Sequence, residues 1–342
     1  MKKRSLCIFL AALLLISGTF LTSCQSNNTE KEDDIYFVRE EKSSAGRFYL
    51  SLSKESKDGE IIPKKKLESI FNKAVDIMDG AMDLLSEDDP DSDVAKINTR
   101  ANTVLNIRTA TLEELGWAFE LSEKTLGLYD PTCGNLVSLL EKSPEATDEA
   151  ITLAATHTGI DKFTLSESSV TKSDPEATLY LGNLREGYAL SKVIEYLKES
   201  PVKYGIASLN ATAGVFGEKS DGTAFAIDIF DPQSNEATGT FHIYSGYVSV
   251  ASSRLTSTRN MKTGKGEGSL AHCAVYSADA KLAVILADLG YFHGSDKMLE
   301  IYDKGELSFE AVMTEKNKTV KKTPKADDPN IYTEANEKAS EE

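Results

Sequence analysis

The chain has 342 residues, 40% hydrophobic and 27% charged, with a formal net charge of −16. That composition excludes a multi-pass membrane protein, a collagen-like chain and a wholly disordered one. So acidic a balance also argues against nucleic acid and against an electrostatic grip on anionic lipid.

The N-terminus reads as a leader. Lys2, Lys3 and Arg4 form a basic start, and residues 6–18 form an apolar run too short to span a bilayer. Leu21-Thr22-Ser23-Cys24 then resembles the bacterial lipobox, whose Cys is acylated and becomes the new N-terminus. Cleavage there leaves 342 − 23 = 319 residues and, with three basic groups gone, a charge near −19. The expectation is a signal peptide over 1–23 and an exported lipoprotein held in the membrane through Cys24, on the periplasmic or cell-surface side. A flexible polar tether over 24–44 follows.

A single domain is expected over 45–318, with a disordered acidic tail over 319–342 that carries Pro324 and Pro329. Alternation predicts a strand at 47–53. Apolar residues at steps of three and four from Leu67 to Leu85 predict a helix over 65–86, and the acidic stretch broken by Pro90 a loop. A helical turn at 94–98 and a strand at 104–107 precede a helix over 112–126, capped by Thr111 and ended by Gly127. A strand at 178–181 runs into Gly182, and a helix covers 186–198. Strands are expected at 205–209, 225–230, 239–244, 247–251 and 271–276, then a helix over 280–289, then strands at 299–302 and 307–313. The mix is α+β with antiparallel hairpins. Cys133 and Cys273 are the only cysteines of the body, and their spacing leaves open whether they pair. The four histidines and the absence of CxxC make a zinc site unexpected.

Several segments, in order, resemble the ApbE family of FAD:protein FMN transferases. Asp91-Ser92 to Ile97-Asn98 is similar to the family's dSxxsxxN turn, and Leu126-Gly127-Leu128-Tyr129-Asp130-Pro131-Thr132 to its tdGxFDPT segment. Leu181 to Leu190 resembles LGGIAKGYAVD, residues 225–232 resemble WxIxIxdP, and Lys262-Thr263-Gly264 resembles the end of HIIDPxTG. The resemblance implies an ApbE-like single domain that moves FMN from FAD onto a Thr of a partner flavoprotein, with a divalent cation, usually Mg2+. It implies a flavin and phosphate site at Tyr129, Asp130, Pro131, Thr132, Gly182, Gly187, Tyr188 and Thr263. Glycines there would admit close backbone approach.

The chain departs from the pattern at several places. The Lys of GGIAKG falls on Glu186 and the Asp that ends the motif on Ser191. The glycine pair of nlGGd falls on Asn210-Ala211, TSG on Ala251-Ser252-Ser253, and the His and Asp of HIIDP on Ser257 and Asn260. No MGT strand is recognisable near residues 44–46. The metal motif ADAxxTA puts Asp and Thr on one helical face. Counted back from Gly290 these fall on Ala280 and Val284; matched directly, they fall on Asp279 and Ala283. Either way the Thr oxygen is missing, and Asp279 is the candidate ligand.

Two functions follow. One is a working transferase. The other is a degenerate homologue that binds flavin or serves as a structural or interaction lipoprotein. Beside these stand plainer readings: a helix-ending turn for Tyr129–Thr132, a steric role for Gly182 and Gly187, a solvated first-turn carboxylate for Glu186, and turn-defining roles for Ser92 and Asn98. His272, Cys273 and Trp117 read as packing. Ser252 near His272 lacks the GxSxG setting of a hydrolase.

Overall fold

The structure is a computed structural model that describes residues 35–43, 46–231, 234–256 and 258–335. The leader, Cys24 and most of the expected tether lie outside the described residues, as do Ser44, Ala45, Pro232, Ser257 and the last seven residues.

In chain order the elements are β1 (Tyr36–Ser43), β2 (Gly46–Ser53), α1 (Lys64–Leu84), α2 (Asp93–Thr99), β3 (Thr103–Leu105) and α3 (Thr109–Lys124). Then come α4 (Gly134–Lys142), α5 (Asp148–Ala155), β4 (Phe163–Ser166), β5 (Ser169–Lys172), α6 (Leu184–Glu199), β6 (Tyr204–Leu209) and β7 (Thr212–Gly217). β8 (Phe225–Phe230), β9 (Ala237–Ile243), β10 (Gly246–Ser252) and β11 (Leu270–Ser277) follow. α7 (Ala280–His293), α8 (Ser295–Asp303), β12 (Glu310–Glu315), β13 (Val320–Lys322) and β14 (Tyr332–Glu334) complete the chain.

An eight-stranded antiparallel sheet, ordered β1-β2-β6-β7-β10-β11-β12-β13, forms the centre. Its central strands bury both faces. Ala207, Leu209, Phe216, Ala251, Cys273 and Met313 point into the core shared with α1, α6 and α7. Ile206, Val215, Val248, Val250, Ala274 and Val312 point into a second core, covered by the small sheet β14-β9-β8. A third sheet, β3-β5-β4, belongs to the region of α3. This is the expected α+β architecture, with antiparallel pairing in every named ladder.

α7 runs between the sheet and α6, and 12 of its 14 residues are buried. A helix apolar all round needs such a place. It carries one buried acid, Asp288.

Four expectations change. The segment 299–302 is helical, because Gly294 (φ 87°) ends α7 and α8 restarts with Met298 and Ile301 on its buried face. α3 begins at Thr109, so Thr111 is not its cap; its hydroxyl donates to Asp93 Oδ2 at 2.9 Å. Residues 178–181 make only an isolated bridge, Thr178 to Cys133. Parts of the stretches expected as tether and tail are strands, β1 within 24–44 and β13 and β14 within 319–342. β1 already pairs with β2, and β14 pairs with β9, where the Tyr332 ring lies 5.1 Å from Phe241. Trp117 is half-buried, with Lys281 Nζ 4.4 Å from its ring centre. Cys133 and Cys273 are both buried free thiols.

Candidate functional site

The segment 179–182 has no strand partner, so side chains hold it. Asn98 grips Leu179 twice: Nδ2 donates to its carbonyl at 3.0 Å and Oδ1 accepts its N–H at 2.7 Å. The Leu181 N–H donates to Glu87 Oε1 at 2.8 Å, and the Leu181 carbonyl accepts from the Tyr129 hydroxyl at 3.3 Å. The Tyr180 N–H donates to the Pro131 carbonyl at 2.8 Å. Ser92 caps α2 by accepting the Ala95 N–H at 3.0 Å. Ser92 and Asn98 are therefore framework residues that fix the turn where Gly182 sits.

Gly182 takes φ 60°, and a Cβ there would lie 2.9 Å from Met261 Cε. The positive φ favours glycine, while the Met261 contact is with the end of a flexible side chain that can shift. Met261 Sδ accepts the Asp130 N–H at 3.3 Å. Asp130 Oδ1 accepts the Thr132 hydroxyl and N–H, and Thr132 Oγ1 in turn accepts the Gly159 N–H at 2.7 Å. Burial pushes the Tyr129 phenol well above its ordinary value. Asn260 builds the next turn, its Oδ1 accepting the Lys262 and Thr263 N–H groups at 2.9 and 3.1 Å. Thr263 is thereby a turn residue of this loop. Gly264, at φ 65°, packs against Leu136 and Leu140 of α4.

These segments meet at Asp288. Its Oδ2 accepts the Thr258 hydroxyl and the Asn183 amide, both at 2.9 Å, and its Oδ1 accepts the Thr256 hydroxyl at 3.3 Å. Burial pushes its carboxyl up to about 7, against the pull of those donors. A cavity of about 10 Å³ lies here, lined among others by Tyr129, Thr258, Arg259, Asp288 and His293. Arg259 lines the cavity, with its Nε 3.8 Å from Glu141; the same segments carry Lys262, its Nζ 3.7 Å from Asp130, and Arg185, 3.6 Å from Glu87.

The structure thus brings together Tyr129, Asp130, Pro131, Thr132, Gly182 and Thr263. It separates Gly187, Tyr188 and Asp279 from them. α6 and α7 run antiparallel, so Asn183 meets Asp288 while Gly187 meets Lys281. A Gly187 Cβ would sit 2.6 Å from Lys281 Cα; the glycine is there for helix packing. Tyr188 is buried beside Lys192, whose Nζ is 5.6 Å from the ring centre. Asp279 caps α7, its Oδ1 accepting the Lys281 and Leu282 N–H groups at 2.8 and 3.4 Å. Nine residues of helix, about 13 Å, separate it from Asp288. Ala283 is fully buried. Among the described residues no group of three or more His, Cys, Asp or Glu could hold a metal. A carboxylate engaged as a helix cap beside an alanine does not fit a magnesium ion, which takes oxygens in octahedral array.

Two departures from the pattern touch each other. Asn210 Nδ2 donates to Glu186 Oε1 at 2.9 Å, and Asn210 Oδ1 accepts the Arg47 N–H at 3.0 Å. Burial pushes the Glu186 carboxyl up to about 7; the Asn210 hydrogen bond opposes this and the nearby Asp288 adds to it. Glu186 is thus no freely solvated carboxylate. Ser252 and His272 are directly opposed across β10 and β11, but His272 Nε2 bonds the Thr314 hydroxyl at 3.0 Å and the Ser252 hydroxyl oxygen accepts the Arg254 N–H at 3.4 Å.

Comparison with known proteins places this geometry. A curated FAD:protein FMN transferase of Vibrio cholerae is 25% identical over 184 residues, 52% of this chain and 55% of that protein. The chain thus spans about half the length of the curated relative it matches. The apo flavinyl transferase ApbE of Pseudomonas stutzeri superposes with a TM-score of 0.72 at 22% identity, covering 86% of this chain and 96% of that one. The ApbE protein of Thermotoga maritima gives 0.74 at 18%, covering 85% and 98%. These structures share the fold. The profile of the ApbE family matches residues 50–313, most of the sequence, and the chain belongs to that family.

Proposed function

We propose that the chain binds FAD where the 127–132 segment, the Gly182 turn and the 258–264 loop converge, and transfers its FMN to a Thr hydroxyl of a partner flavoprotein. The observation that carries this reading is the convergence itself. Three segments that resemble the family pattern, far apart in sequence, meet around one cavity: Asn183 and Thr258 donate to the buried Asp288 carboxylate, Tyr129 lines the same cavity, and the Asp130 N–H donates to Met261 Sδ of the loop. The flexible end of Met261 covers the Gly182 backbone, and its displacement would open that backbone to the ligand. Arg185, Arg259 and Lys262 balance the diphosphate charge as the P–O bond breaks, a reaction that depends on positioning and electrostatics. The cavity of about 10 Å³ has room for a water-sized group. Flavin entry therefore moves the loop wall away from α7. The reading places no ion at Asp279.

A second reading, flavin binding without transfer, is favoured by Ala283 and by Asp279's use as a cap. Incubating the purified full-length chain with FAD and N-acetylthreonine amide as hydroxyl acceptor, and separating products by chromatography, decides between them. Release of AMP supports transfer, retained intact FAD supports binding alone, and no retention of flavin contradicts both.

Export and a lipid anchor at Cys24 belong to the same proposal and rest on the leader sequence. β1 begins twelve residues after Cys24. The acceptor is then an exported or membrane flavoprotein.

A further inference from the structure

We propose that His293 is the catalytic proton acceptor for the hydroxyl that attacks FAD. This deepens the transfer reading above and rests on it. His293 is the last residue of α7 and lines the same cavity as Tyr129, Thr258, Arg259 and Asp288. Its Nε2 is buried and has no hydrogen-bond partner among the described residues. Buried polar atoms are nearly always paired, and an unpaired one calls for a reason.

The other acids near the cavity are engaged. Asp288 accepts three side-chain donors, and Glu186 accepts from Asn210. Among the described residues that line the cavity, His293 Nε2 is the buried side-chain atom without a hydrogen-bond partner. Burial holds His293 below its ordinary value, and Lys262 from the loop and Lys297 from α8 act in the same direction. Arg259 and Asp288 are the other charged groups lining the cavity. The ring is therefore neutral at pH 7, and a proton on Nδ1 leaves Nε2 a lone pair. A cavity of about 10 Å³ suits one hydroxyl oxygen.

The step balances. The acceptor O–H proton moves to His293 Nε2 as the oxygen bonds the phosphorus of the FMN half. The P–O bond to the AMP half breaks, and AMP leaves with the electron pair. The imidazolium then returns its proton to the AMP phosphate.

The test follows single-turnover AMP release from FAD by the full-length chain, with N-acetylthreonine amide as hydroxyl donor, between pH 5 and 9. His293→Gln is expected to slow release about 100-fold, to keep the FAD Kd within about twofold, and to lose the fall in rate that the parent chain has on its acid side. Added imidazole is expected to restore part of the rate to His293→Gly. An unchanged rate and pH profile in His293→Gln overturns the proposal. If the parent chain releases no AMP, the transfer reading itself fails. The inference is then read from the ring 15N shifts of the four histidines: a His293 Nε2 signal that moves with FAD and the amide keeps it as a ligand contact, and one that stays still overturns it.

Discussion

Between pH 5.5 and 7.5 the folded chain is expected to lose about 2 kcal/mol of stability through Asp288, and Asp288→Asn is expected to remove that part of the slope. The folded carboxyl titrates at about 7, above its ordinary 3.8. Between those values the folded chain keeps a proton that the unfolded chain has released. Raising the pH in that window therefore favours unfolding. At about 1.4 kcal/mol per pH unit, the interval from 5.5 to 7 gives the stated loss, and the slope flattens above. Glu186, also pushed up to about 7, adds in the same direction. Urea unfolding of the chain and of Asp288→Asn at both pH values checks this. Equal slopes in the two proteins would contradict the burial and bonding assigned to Asp288.

Gly187→Val is expected to destabilise the fold by about 3 kcal/mol through overpacking, whether or not flavin is present. The new Cβ would meet Lys281 backbone atoms at 2.6 and 2.8 Å and the Ala280 carbonyl at 2.9 Å. A backbone cannot swing aside as a side chain can, so α6 and α7 must part. Gly80, exposed in α1 with nothing within 4 Å of its Cβ position, is the control. Gly80→Ala is expected to stabilise by about 1 kcal/mol. Thermal unfolding reads both. A Gly187→Val chain of normal stability that has lost only flavin binding would return Gly187 to the ligand site.

The long helices were legible because each buries one stripe. Leu67, Ile70, Phe71, Ala74 and Met78 leave little choice for α1. β7 was missed because Thr212-Ala213-Gly214-Val215-Phe216 is buried on both faces and shows no alternation. The C-terminal strand was hidden by composition. One ring, Tyr332 against Phe241, and the ladder to β9 secure a segment whose neighbours are charged.

The site was half legible. Gly182 and the Tyr129–Thr132 run announce tight turns. Asp279 reads as a ligand in sequence, yet an Asp just before a helix is also a good N-cap, and the latter role is the one its geometry fills. Asp288 carries no sequence signal. It is one acid in an apolar helix, and its partners Asn183, Thr256 and Thr258 lie elsewhere in the chain. His293 was invisible for the same reason: an unpaired nitrogen is a property of packing.

The central claim is that flavin is held at the Gly182 and Asp288 end of α7, not at its Asp279 end. The most direct measurement is an FAD titration of the full-length chain, of Gly182→Ala and of Asp279→Ala, followed by flavin fluorescence with and without magnesium. The expected result is that Asp279→Ala loses about 1 kcal/mol of stability with its cap and binds FAD as the parent does. Gly182→Ala, whose Cβ would meet Met261 at 2.9 Å, is expected to stay folded and lose binding. Magnesium-dependent binding that survives in Gly182→Ala and disappears in Asp279→Ala would contradict it.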